Sequence, residues 1–357
     1  MSGRAGGFQY SDGFLDRLWR QDPPSPSDTI VSMFQLVPER IARSHRGRLW
    51  FYVDQTLRQL FTGYGLSHRI SPGVQAAAIG RERAQYLRAD GVICHSAWAA
   101  RDVVESYGVP PTHVHRVVCG ANLNTAALQR WEASAKPPQD RLNGPLRLVF
   151  VGKDWQRKGL DRLIAALDLV RRDGVDVHLT VIGVEPESLP LPYRFAEGVH
   201  FKGVIGKDAG SDALIAAVSA AHVGVLLSTA EAGGIALREF CRLGLPVIAP
   251  DVGGAREYVC PGAAVLVGPH EGARTIADVI KGLAQDPDRL LAMQRTAFAA
   301  RHRASWDHAV DDVFDILRTH HTQDARTGVE RTVAPSMVPK AGTPSVPAMP
   351  LSGASRS

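Results

Sequence analysis

Two short segments bring charged side chains and glycines together where helices begin. The first, Gly152-Lys153-Asp154-Trp155-Gln156-Arg157-Lys158-Gly159, follows the apolar run 146–151 and opens a stretch of helical periodicity. Glycine allows close approach to the backbone, the lysines supply charge, and the helix N-terminus offers free amides, a combination suited to a phosphate-bearing ligand. A basic turn on a solvated surface would have the same composition. The second segment runs from Ser228 to Glu239 and holds Glu231 and Glu239 with Gly233-Gly234 between them. This spacing puts Glu231 in a strand-to-helix loop and Glu239 two turns along the helix. Carboxylates accept hydrogen bonds from sugar or ribose hydroxyls, and helix-terminal amides hold a negative group. An N-terminal acidic residue followed by a surface glutamate would read alike.

The elements that must position these loops are legible from residue 146 onward. LRLVFV is followed by Leu160, Leu163, Ile164, Leu167 and Val170 at helical spacing and then by VHLTVI, which is one strand–helix–strand unit. The alternation continues through HVGVLL at 222–227, a helix over 235–243, PVIA at 246–249, AVLV at 264–267 and a helix over 273–283. Such alternation implies a doubly wound parallel sheet, whose ligands sit at the carboxyl ends of the strands. Both charged loops lie at such ends, and together they describe a site for a nucleotide diphosphate sugar.

The first 145 residues repeat the signal more weakly, with candidate strands at 30–34, 49–53, 91–94 and 113–118. KPPQDRLNGP at 136–145 is polar and rich in turn formers, as an interdomain linker is. The predicted organisation is an N-terminal α/β domain over 1–142, a C-terminal domain over 143–304, a helix within 305–321 and a disordered tail over 322–357 dominated by Pro, Ser, Gly, Thr and Ala.

Composition excludes several classes of function. With 357 residues, 45% of them hydrophobic, the chain can bury two cores, and no apolar run is long enough to span a membrane. The N-terminus shows no secretory h-region, so the expected location is cytoplasmic. Cys94, Cys119, Cys241 and Cys260 form no C-x-x-C pair and are expected to be small core residues. Residues 1–145 hold 17 Lys and Arg against 12 Asp and Glu, so the net charge of +5 comes mainly from the first half. Its clusters, Arg40–Arg43–Arg46–Arg48 and Arg81–Arg83–Arg88, lack interleaved aromatics, which argues against nucleic acid and leaves a solvated face or a patch meeting anionic lipid. There is no G-x-G-x-x-G after a strand, no P-loop and no metal-binding motif; Asp286-Pro287-Asp288 reads as a helix cap with proline in the first turn.

Taken together, these residues resemble the family 4 retaining glycosyltransferases of GT-B architecture, in which two Rossmann-like domains face a cleft. The resemblance runs from about residue 88 to 318. The family's G-R-x-x-x-x-K-G loop is matched by Gly152-Lys153 through Lys158-Gly159, with lysine for arginine, which keeps the charge but loses the guanidinium fork. Its E-x-G-F-G-x-x-x-E element is matched by Glu231 to Glu239, with glycine in place of the aromatic. Further similar segments are Phe201-Lys202-Gly203-Val204, Leu245 to Ala249, Asp251 to Gly254 with Glu257, Ile93 to Ser96, Tyr107 to Pro110 and Gly120-Ala121-Asn122. Part of the family's usual first domain has no counterpart, and Gly6-Gly7, with no strand before it, does not replace the missing glycine-rich loop.

The resemblance implies a donor site made by Gly152, Lys153, Lys158, Ser228, Glu231, Gly233, Gly234, Ile235 and Glu239. Glu231 would bind the hydroxyls of the transferred sugar, residues 233–235 would offer amides, and Glu239 would bind the ribose. Lys153, Lys158 and helix amides would stabilise the departing diphosphate, with no cofactor and no metal. Asp54 stands where the family often has a histidine after an early strand, and with Glu231 and Lys158 completes the candidate catalytic set; a strand-end cap is its other reading. His95 is expected to be structural. The implied partners are a nucleotide-sugar donor and a saccharide or lipid-linked glycan acceptor, in polysaccharide or glycolipid synthesis, with peripheral contact at the inner membrane face. A non-catalytic nucleotide-sugar-binding or scaffold protein is the alternative class; a nucleotide-sugar epimerase fits the paired glutamates less well.

Overall fold

The structure is a computed structural model that describes residues 11–140, 142–207 and 210–327. Gly6-Gly7 and residues 328–357 of the expected disordered tail lie outside the described residues.

Among the described residues, ten strands form two wholly parallel sheets. β1 (Ile30–Ser32), β2 (Leu49–Val53), β3 (Gly91–Cys94) and β4 (Val114–Arg116) lie side by side in chain order. The second sheet contains β5 (Leu146–Val151), β6 (Val177–Ile182), β7 (Val199–Phe201), β8 (Val223–Val225), β9 (Val247–Pro250) and β10 (Ala264–Val267), in the order β10-β9-β8-β5-β6-β7. Parallel strands are covered on both faces, which is why β2 is buried at every position and the strands read as continuous apolar runs.

The chain order reverses direction between β5 and β8, which pair through Leu148 and Val223. A crevice opens at such a reversal, outside the carboxyl ends of the two strands. The two charged loops of the sequence leave β5 and β8, so the topology delivers both to one place. Behind them, the helix Leu160–Arg172 buries Leu163, Leu167 and Val170 and packs against the helix Ala273–Gln285.

Several elements differ from their predicted extents. The run HVGVLL is a strand only at Val223–Val225, because Leu227 N–H turns to bond Lys158 O at 3.1 Å in the neighbouring loop. IVSMF ends at Ser32, whose Oγ accepts from Phe34 N–H at 3.2 Å and curls the chain. β7 is a strand that the sequence pattern did not signal, being three residues long with none fully buried. The final helix, Trp306–Thr327, continues past residue 321 into the stretch expected to be disordered. All four cysteines are buried and free, as expected, and Asp286 caps the helix Pro287–Ala300 by accepting from Arg289 N–H at 2.9 Å.

Candidate functional site

The loops after β5 and β8 are stitched together through their backbones. Leu227 N–H bonds Lys158 O, and Thr229 N–H bonds Arg157 O at 2.9 Å. Glycines make this close approach feasible. A Cβ at Gly152 would lie 2.3 Å from Lys158 Cδ, and one at Gly159, which also has φ +74°, would lie 2.4 Å from Leu227 O. The lysine stem therefore lies over Gly152, and its ammonium is carried toward Glu231.

Glu231 is where the charges converge. Its Oε2 lies 3.6 Å from Lys158 Nζ and 3.5 Å from Arg157 Nη1, and it accepts from Ser228 Oγ at 3.0 Å. Arg157 also donates to Ala230 O at 2.8 Å. The Glu231 and Lys158 side chains are only 10% and 14% exposed, so the pair is weakly screened by solvent. Beyond Glu231, Ala232 N–H donates to Tyr64 Oη at 2.7 Å, and the Arg157 guanidinium stands 5.2 Å over the Tyr64 ring. Tyr64 follows the helix Leu57–Gly63 on the first-sheet side, so this bond joins the two halves of the molecule.

Gly233 and Gly234 open the helix Ile235–Arg242 for different reasons. A Cβ on Gly233 would fall 1.9 Å from Tyr258 Cζ, so the tyrosine ring fills the space a larger residue would need. Gly234 caps the helix in the left-handed region, at φ +85°. Glu239, on that helix, is 3% exposed, which rules out a surface glutamate. Lys207 Nζ forms an ion pair with it. Burial pushes the Glu239 carboxyl above its ordinary value, opposed by the charges of Lys207 and Lys158.

A cavity of about 400 Å³ is lined by Glu231, Gly233, Gly234 and Ile235 from the second sheet and by Asp54, Tyr52, Tyr64, His95, Asn122 and Trp306 from the first half and the final helix. Asp54 follows β2. Its carboxyl is pushed up chiefly by burial, partly offset by its own backbone N–H and that of Gln55, and raised further by the charge of Glu231. The next helix is capped by Thr56, which accepts from Gln59 N–H at 3.1 Å. His95 bonds Tyr258 Oη through Nδ1 at 2.8 Å, and burial lowers its pKa to about 4, so the ring is neutral at physiological pH.

Of the residues singled out by sequence, Gly152, Lys158, Ser228 and Glu231 meet directly, and Asp54, Gly233, Gly234 and Ile235 share the cavity with Glu231. Glu239 lies deeper, with Lys207. Lys153 is exposed in the turn after β5 and is not among the cavity-lining residues. Sequence reasoning passed over Arg157, Tyr64, Tyr258 and Lys207. Arg157 was visible beside Lys158 and supplies the guanidinium that Lys153 lacks; the other three have no local signal, because each reaches the site from a distant part of the chain. Among the described residues, no group of three or more His, Cys, Asp or Glu side chains could hold a metal ion.

Residues 145–286 match the family model described as Glycosyl transferases group 1. The D-inositol 3-phosphate glycosyltransferases of Gordonia bronchialis and Nocardia farcinica are 31% and 30% identical over 62% and 66% of this chain. The chain spans about half of each, 51% and 53%. The glycogen synthase of Mycobacterium tuberculosis is 28% identical over 82% of this chain and 66% of its own length. Among solved structures, sucrose-phosphate synthase from Thermosynechococcus elongatus superposes with TM-score 0.63 and 20% identity, covering 87% of this chain and 79% of that one. Anabaena HepE, solved with UDP and glucose, superposes with TM-score 0.61 and 18% identity over 87% and 83% of the two chains. These structural likenesses bear on the fold, and the sequence match falls on the sheet that carries Lys158 and Glu231. The likeness to the group 1 glycosyl transferases therefore rests on residues 145–286, and the two parallel sheets share the GT-B fold of these solved structures.

Proposed function

We propose that this protein is a glycosyltransferase that moves a sugar from a nucleotide diphosphate donor to an acceptor hydroxyl with retention of anomeric configuration. The observation that carries this reading is the convergence of Lys158, Arg157 and Ser228 on the Glu231 carboxylate, at the crevice between β5 and β8. A donor diphosphate entering there meets two cations and the open N-terminus of the helix Ile235–Arg242. It draws Arg157 and Lys158 toward its own oxygens, which frees Glu231 to accept from the hydroxyls of the transferred sugar. Glu239, buried one helix turn and more beyond, accepts from the ribose hydroxyls in this reading.

In the transfer itself, the bond between the anomeric carbon and the phosphate oxygen breaks while the acceptor oxygen bonds to the same carbon on the same face. The acceptor proton passes to the departing phosphate oxygen. Negative charge grows on the diphosphate, and preorganised cations in a half-buried crevice stabilise it more than solvent would. Asp54, on the opposite wall, orients the acceptor hydroxyl. The acceptor is read as a saccharide or lipid-linked glycan in polysaccharide or glycolipid synthesis, reached in the cytoplasm at the inner membrane face through the basic first half. Among the described residues no helix is long and apolar enough to cross a membrane.

The test is proton NMR of the product formed from UDP-glucose, GDP-mannose or ADP-glucose with a panel of saccharide acceptors. A product whose anomeric coupling matches that of the donor supports the reading. An inverted product overturns retention, and intact donors with no product from any pair overturn transfer.

A further inference from the structure

The charge around the cavity is segregated by side. Arg157 and Lys158 approach the Glu231 carboxylate from the donor loop, Arg157 also standing over the Tyr64 ring. On the acceptor side, no Lys or Arg is among the described residues that line the cavity. The nearby arginines of that half are committed elsewhere: Arg58 to Asp102, Arg116 to Glu257, and Arg238 of the second sheet to the carbonyls of Cys119 and Arg303. Burial favours the neutral form of His95, whose Nδ1 is bonded to Tyr258 Oη while its buried Nε2 has no partner. Beside Met33, Tyr64, His95 and Cys119, this side presents the Asp54 carboxylate, the amide of Asn122 and an aromatic corner in which the Tyr52 and Trp306 rings meet nearly edge to face, 6.5 Å between centroids.

We propose that this wall selects an uncharged, polyhydroxylated acceptor, with Asp54 accepting hydrogen bonds from its hydroxyls and the Tyr52–Trp306 corner covering its ring, and that it rejects a phosphorylated acceptor. The inference rests on the glycosyltransferase reading of the same site and names the acceptor class for it. Carboxylates are acceptor-only groups and suit hydroxyl donors, and aromatic faces suit the C–H surface of a sugar ring. A phosphate monoester brings a charge of about −1.5 to −2 at neutral pH into a cavity that already holds Asp54 and Glu231. Its oxygens would find no Lys or Arg among the described residues that line this side, and like charges brought together oppose binding strongly. The volume of about 400 Å³ lies in the range of small-molecule sites and accommodates a sugar ring.

The experiment is saturation-transfer NMR on the full chain with matched pairs, myo-inositol against inositol 3-phosphate and glucose against glucose 6-phosphate, each with and without UDP. The expected result is transfer to a neutral member and a phosphorylated counterpart that competes only at roughly tenfold higher concentration or more. Asp54→Asn, nearly isosteric, narrows that gap by removing the charge. Equal or tighter binding of the phosphorylated member, or no transfer to either neutral compound, overturns the inference. Calorimetric titration with UDP, GDP and ADP in parallel keeps the two readings apart. Loss of nucleotide binding with the neutral preference intact fails the donor site alone, and nucleotide binding with a phosphorylated preference fails the acceptor class alone.

Discussion

Lys158 Nζ and Glu231 Oε2 stand 3.6 Å apart, at the point where the turn after β5 meets the turn after β8. The pair is a consequence of topology, because these are the two strands between which the sheet order reverses. It is also weakly screened, so it sets the local field in the crevice, and it holds the lysine in place. Arg157 shares the same carboxylate oxygen at 3.5 Å, so the site keeps one cation when the other is removed.

Replacing Lys158 with alanine therefore leaves a folded protein with a weakened site. The expected loss is about 100-fold or more in kcat with a smaller change in KM for the donor, the pattern of a charge that acts mainly on the departing diphosphate. Steady-state kinetics on wild type, Lys158→Ala and Arg157→Ala check this. An equal rise in KM with unchanged kcat would assign the lysine to ground-state binding instead.

Gly233→Ala should destabilise the protein and the site together. The added Cβ would sit 1.9 Å from the buried Tyr258 ring, and Tyr258 in turn holds His95 through its hydroxyl. Overpacking of this kind costs about 1–3 kcal/mol. A lower Tm with weakened nucleotide affinity is the expected outcome, checked by thermal melting and calorimetry side by side.

Tyr64→Phe tests the contact between the two halves. The ring beneath Arg157 is kept and the hydroxyl that Ala232 N–H reaches at 2.7 Å is lost. A buried amide left without its partner costs about 1–3 kcal/mol. Since that amide adjoins Glu231, transfer should fall while the fold persists, and the comparison of kcat with chemical denaturation of the same variant separates the two effects.

Glu82 governs a pH dependence of stability. It is buried beneath Tyr86 and Tyr107, accepts from Leu57 N–H at 2.9 Å, and burial pushes its pKa up to about 8 despite those hydrogen bonds. Between its ordinary value of 4.5 and about 8, the folded protein retains a proton that the unfolded chain has lost. Stability from this group is therefore present at acid pH and declines as pH rises through that window, by several kcal/mol in order of magnitude. Glu82→Gln should remove the decline. Urea unfolding of both proteins at acid, neutral and alkaline pH reads the difference directly, and parallel curves would contradict it.

The second sheet and its two loops were legible in the sequence because doubly covered parallel strands read as unbroken apolar runs and the glycines mark where the loops close on each other. The first half was harder. The helix Pro72–Tyr86 buries Glu82 and Gln85 on its inner face, so its hydrophobic period is interrupted by the residues that matter most to it. Tyr64 and Tyr258 carry no local sign of function; each becomes part of the site only when the fold brings it against Ala232 or Gly233. Glu239 was placed on its helix correctly, but its partner Lys207 sits in the loop after β7, where the sequence offers no pattern to read. Asp54 was singled out because it stands where the resembling family often has a histidine after an early strand, and it shares a cavity with Glu231.

The central claim, a nucleotide diphosphate sugar site between β5 and β8, is tested most directly by calorimetric titration of the purified protein with UDP, GDP and ADP, comparing wild type with Glu239→Ala. Micromolar binding of one of the three, weakened roughly tenfold or more by loss of the buried carboxylate, is the predicted result. No binding of any of them to a protein that melts cooperatively would contradict the account.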